Sequence, residues 1–94
     1  MTKYHIDYDP EFADDINKFK KAGQKQILEK INILLEELVE HPRTGTGHPE
    51  RLKGYPDVDR WSRRITQKHR LIYDIYEDIV VVLVLTAYGH YDDN

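Results

Sequence analysis

Seven consecutive aliphatic residues, Ile79-Val80-Val81-Val82-Leu83-Val84-Leu85, constrain this 94-residue chain more than any other feature. The run is far short of the roughly 20 apolar residues a membrane-spanning helix needs. Its β-branched content and continuity predict an interior strand covered on both faces, over residues 79–86. Such a strand requires neighbours, and two alternating segments, residues 60–66 and 69–77, precede it. The first eight residues supply another candidate, with Tyr4, Ile6 and Tyr8 alternating on one side of a strand over residues 3–8.

Between these strands lie two amphipathic patterns. Asp9-Pro10-Glu11 offers an N-cap, a proline at the first helical position and an acid in the first turn, and Phe12, Ile16 and Phe19 then recur at i, i+4 and i+7. That helix ends near Gly23. A second stripe, Ile27, Ile31, Leu34, Leu35 and Leu38, runs until His41-Pro42 stops it. Residues 43–59 carry Gly, Pro, Thr and charge without a period, the mark of a long functional loop. The order is β-α-α-β-β-β: one α+β domain over residues 1–94, with two helices packed on a mainly antiparallel sheet.

The register of the 60–77 hairpin bears on function. Pairing Arg64 with Arg70 and Trp61 with Tyr73 gathers Trp61, Ile65, Leu71, Tyr73 and Ile75 on one face. A one-residue slip mixes apolar and charged groups on both. The first register leaves Ser62, Arg64 and Arg70 together on the opposite face as a phosphate clamp. Arg63 points the other way, and Trp61 and Tyr73 are core aromatics.

Charge supports the same region. The net charge is −3, which alone argues against a general nucleic-acid binder. The local balances are −3 over residues 1–42, +5 over 43–70 and −5 over 71–94. A basic centre in an acidic chain can still focus a polyanion, because local potential does the steering. The five histidines show no metal-ligand spacing and there is no cysteine, so neither a metal nor a cofactor is expected. Met1-Thr2-Lys3-Tyr4-His5 lacks the apolar core of a signal peptide, which makes the cytoplasm the expected compartment.

Three stretches carry a resemblance: Gly45-Thr46-Gly47-His48-Pro49-Glu50-Arg51-Leu52-Lys53-Gly54; Trp61-Ser62-Arg63-Arg64-Ile65-Thr66 with His69-Arg70-Leu71-Ile72-Tyr73; and His90-Tyr91. Together they resemble the YoeB (Txe) branch of the RelE toxin superfamily. The resemblance implies a ribonuclease that cuts mRNA in the ribosomal decoding site, against rRNA, and is inhibited by a YefM-like antitoxin. It assigns the general base to Glu50, the phosphate-binding arginine to Arg70, the general acid to His90 and the C-terminal tyrosine to Tyr91. Lys53 and Arg64 match supporting substrate-binding residues, with Arg63 a weaker candidate. A homodimer is also implied, and no membrane partner.

The residue types suit that chemistry independently. Cleaving RNA through its own 2′-hydroxyl needs a base, cations for the phosphorane and an acid for the departing 5′-oxygen. A carboxylate, guanidinium groups and an imidazole supply them. A non-catalytic inhibitor on the same scaffold, as in the ParE branch, resembles the fold without the Glu50, Arg70 and His90 set, and an RNA- or ribosome-binding module that has lost catalysis would use the same basic surface. Three departures bear on substrate handling: the tail Asp92-Asp93-Asn94, the acidic loop Tyr55-Pro56-Asp57-Val58-Asp59, and Tyr88-Gly89 where an arginine-tyrosine pair is common.

Overall fold

The computed structural model describes residues 3–87. Its elements are β1 (His5–Tyr8), α1 (Pro10–Lys21), α2 (Lys25–Leu38), β2 (Glu50–Arg51), β3 (Asp59–Arg64), β4 (His69–Ile75) and β5 (Ile79–Ala87). One five-stranded sheet runs in the order β1-β5-β4-β3-β2. The aliphatic run is interior as its composition requires, with β1 parallel on one side and β4 antiparallel on the other. All remaining pairings are antiparallel. A bulge between Ile72 and Tyr73 offsets β4 against β5.

Both helices form for the reasons their sequences give. The Asp9 carboxylate accepts from the Glu11 amide at 3.0 Å, Pro10 needs no partner at the first position, and Lys18, Lys20 and Lys21 sit in the last turn, where the helix dipole favours cations. In α2 the stripe buries Ile31, Leu34 and Leu38 against the sheet. These meet Phe12, Ile65, Leu71, Tyr73, Ile75 and Val80 in one core. Each fully buried Leu or Ile contributes about 1.5–3 kcal/mol. Tyr4 and Ile6 pack against this core, whereas Tyr8 is half exposed and stacks on Phe12 with ring centroids 5.3 Å apart.

The hairpin has the register that the hydrophobic pattern favours: Trp61 lies opposite Tyr73 and Arg64 opposite Arg70. Alternation therefore sends Trp61, Arg63, Leu71 and Tyr73 towards the helices, and Arg60, Ser62, Arg64, Arg70, Ile72 and Asp74 to the other face. The structure differs from the sequence reading between residues 43 and 59. Glu50 and Arg51 there form a short edge strand paired with Ser62 and Trp61. Two residues cannot display a period, so alternation could not reveal them. No helix among the described residues is long and apolar enough to cross a membrane.

Candidate active site

β2 brings a carboxylate to the basic face. Glu50 pairs with Ser62, which places it on the same sheet face as Arg64 and Arg70, two strands away from Arg70. Strand spacing and rise put the Glu50 and Arg70 backbones roughly 12 Å apart, within combined reach of one RNA linkage for two long side chains. Glu50 and Arg64 are exposed, and Arg70 is half-buried. Asp74, the carboxylate nearest along β4, is already held by Arg60 through two bonds of 2.6 and 2.9 Å, and the Arg60 guanidinium lies 4.6 Å over the Tyr55 ring. No ion pair links Arg64 or Arg70 to a carboxylate among the described residues. Lys53 is exposed in the turn that follows Leu52.

An open depression of about 520 Å³ adjoins Glu50, lined by Gly45, Gly47, His48 and Pro49. His48 has φ +52°, and among the described residues it is the one non-glycine residue with a left-handed backbone. Its place in this depression had no signature in histidine spacing. The flanking Gly45 and Gly47 were the available signal.

Arg63 occupies the opposite side of β3 and is fully buried. Its Nε donates to the Tyr73 hydroxyl at 3.1 Å. Nη1 donates to Glu37 Oε1 at 2.7 Å and to the Thr46 carbonyl at 3.3 Å. Nη2 donates to the carbonyls of Thr44, at 2.7 Å, and His41. A guanidinium has five N–H groups, and all five are used. The substrate-binding role that the resemblance allowed for Arg63 is therefore corrected: no donor remains for a phosphate, and the side chain faces the covered side of the sheet. His90 and Tyr91 lie outside the described residues.

Sequence reasoning missed Glu37, which reads as one of several surface acids on α2. Its carboxylate accepts from the Thr46 amide at 2.8 Å and the Thr46 hydroxyl at 2.6 Å as well as from Arg63. Burial, the largest single influence, pushes the Glu37 carboxyl up, but the Thr46 bonds and Arg63 together hold it below the ordinary value of 4.5. A depressed carboxyl stabilises the fold fully above its unfolded value and loses that contribution as pH falls through the folded one. Asp59, bound by Arg43, Trp61 and Arg51, is lowered against its own burial in the same way and adds to the same window. Urea unfolding should therefore show stability falling as pH drops below about 4.5, with a shallower fall in Glu37→Gln. An identical acid limb in both proteins would show that Glu37 does not act through its ionisation.

The family model described as a YoeB-like toxin of bacterial type II toxin–antitoxin systems matches residues 8–91. The toxin YoeB of a Synechocystis strain is 40% identical over 67 residues, covering 66% of this chain and 72% of that protein. Among solved structures, a YoeB/ParE toxin from Agrobacterium tumefaciens superposes with a TM-score of 0.80 at 29% identity, covering 89% of this chain and 98% of that one. The YoeB of Staphylococcus aureus, solved as a dimer and in a heterotetrameric complex with YefM, gives a TM-score of 0.76 at 27% identity over 93% of this chain and 99% of its own.

Proposed function

The chain belongs to the YoeB-like toxins of bacterial type II toxin–antitoxin systems, and from that membership we propose that it is an endoribonuclease cutting mRNA in the ribosomal decoding site. The observation that carries this reading is the juxtaposition of Glu50 with Arg64 and Arg70 on one sheet face. Two cations without a carboxylate partner among the described residues, beside an exposed acid, suit a reacting phosphodiester better than they suit a folded surface.

In the proposed reaction the Glu50 carboxylate takes the 2′-hydroxyl proton, and the 2′-oxygen forms a bond to phosphorus. Arg70 and Arg64, with Lys53, offset the charge gathering on the phosphorane oxygens. The bond from phosphorus to the 5′-oxygen breaks, and His90 gives that oxygen its proton, leaving a 2′,3′-cyclic phosphate and a free 5′-hydroxyl. Tyr91 completes the set. The chain's own acid, base and cations account for every step without a metal or cofactor.

A YefM-type antitoxin is the proposed inhibitor and a second copy the proposed partner, as the S. aureus relative has been solved in both assemblies. An acidic or amphipathic antitoxin segment would be drawn to the +5 balance of residues 43–70. Primer-extension mapping on purified ribosomes tests the enzyme reading. The wild type should give discrete message cuts, and His90→Ala should cut about 10²- to 10⁴-fold more slowly, the range for loss of an acid–base group. Ribosome binding without cuts in the wild type would instead make the protein a non-catalytic inhibitor.

A further inference from the structure

We propose that Arg63 is a positioning residue of this site, holding from the covered side of the sheet the loop that presents Glu50 on the other side. The inference rests on the reading of Glu50 as the base. Between the end of α2 and β2 the chain forms no regular structure, so its backbone needs partners from elsewhere. Five of the seven carbonyls of residues 41–47 find theirs on β3 and β4. Those of His41, Thr44 and Thr46 accept from Arg63, that of Pro42 from the Tyr73 hydroxyl at 2.8 Å, and that of Gly47 from the Arg64 amide at 2.7 Å. Glu37 ties Thr46 and Arg63 to α2 from the other end.

The two glycines belong to the same device. A Cβ at Gly45 would lie 2.4 Å from Glu37 Oε1 and 3.3 Å from Arg63 Nη1, and one at Gly47 would lie 2.7 Å from the Arg64 carbonyl oxygen. Gly47 also has φ +87°. A side chain at Gly47 would lift the loop off β3, and one at Gly45 would push the Glu37 carboxylate away from Thr46 and Arg63. The pinned segment ends three residues before Glu50, and β3 turns consecutive arginines to opposite faces, Arg63 to the loop and Arg64 to the site. Displacing the loop therefore moves the base relative to the cations. A shift of about 1 Å can cost on the order of 100-fold in rate.

Arg63→Lys tests this, because an ammonium keeps the charge but cannot span five acceptors in one plane. Hydrogen exchange should show lost protection at the Thr46 and Arg64 amides while the β4–β5 ladder stays protected. Cleavage on ribosomes should lose about 10- to 100-fold in kcat at unchanged KM. In a Glu50→Gln background Arg63→Lys should add little further loss, since misplacing an absent base costs nothing. Unchanged protection at Thr46 and Arg64, or losses that multiply in the double variant, would overturn the proposal. If the lysine variant does not fold, Glu37→Gln loosens the same loop and is read out identically. If the wild type cuts no message, the nuclease reading fails by itself, and the exchange pattern alone decides whether Arg63 holds the loop.

Discussion

Arg70→Ala should slow message cleavage by about 100- to 1,000-fold, as loss of one preorganised donor to a developing oxyanion does. Its unfolding midpoint should move by no more than about 4 °C. The contrast follows from what surrounds the side chain. Arg70 is half-buried on the face away from the helices, opposite another cation, Arg64, and Asp74 is occupied by Arg60. Removing it breaks no ion pair with a carboxylate among the described residues and relieves the repulsion between paired arginines. Substitutions of this kind change stability by about 0.5 kcal/mol, or 2–4 °C for a domain of this size. In the proposed transition state the same group would face charge concentrated on phosphorus-bound oxygens. Arg70→Lys should recover only part of the rate, because a point charge cannot grip two oxygens at once. Single-turnover cleavage beside a thermal melt separates the outcomes. A large fall in midpoint at an unchanged rate would assign Arg70 to the fold and remove it from the site.

How much of this could be read from the chain depends on the range of the interactions involved. The register of β3 against β4 was legible, because slipping Trp61 past Tyr73 by one residue would expose a whole apolar face. So was the start of α1, where Asp9, Pro10 and Glu11 act locally. The side chain of Arg63 could be assigned to the opposite face from Arg64 by alternation alone. Its partners could not, since three are backbone carbonyls of a loop about twenty residues earlier, and carbonyls carry no sequence signature. β2 escaped for a similar reason: its ladder with β3 depends on where that pinned loop ends. The resemblance located Glu50 in the motif, and β2 explains how a loop residue comes to share a face with two arginines.

Arg63→Ala should destabilise the fold by about 3–5 kcal/mol, because it removes a fully buried guanidinium and leaves three loop carbonyls without their donor, each such loss costing about 1–3 kcal/mol. That is a large share of the stability of about 5–15 kcal/mol that such domains have, and corresponds to a fall of at least about 12 °C in the midpoint. The Glu37 carboxylate would keep its bonds to Thr46 but lose its counter-charge, and the carbonyls of His41, Thr44 and Thr46 would lose their donor together. The Tyr73 hydroxyl would still reach Pro42, which keeps one end of the loop in place. A second variant distinguishes this network from a simple ion pair. Replacing both members of a simple buried pair by apolar residues is often neutral or stabilising. Here Glu37→Leu with Arg63→Met should remain nearly as unstable as Arg63→Ala, because no apolar side chain can satisfy three carbonyl oxygens. Each polar group left buried without a partner costs about 1–3 kcal/mol. Urea unfolding of the three proteins at neutral pH measures the difference. Recovery of wild-type stability in the double variant would mean that the Glu37 pair alone accounts for Arg63's burial and that the loop carbonyls find water once the guanidinium is gone.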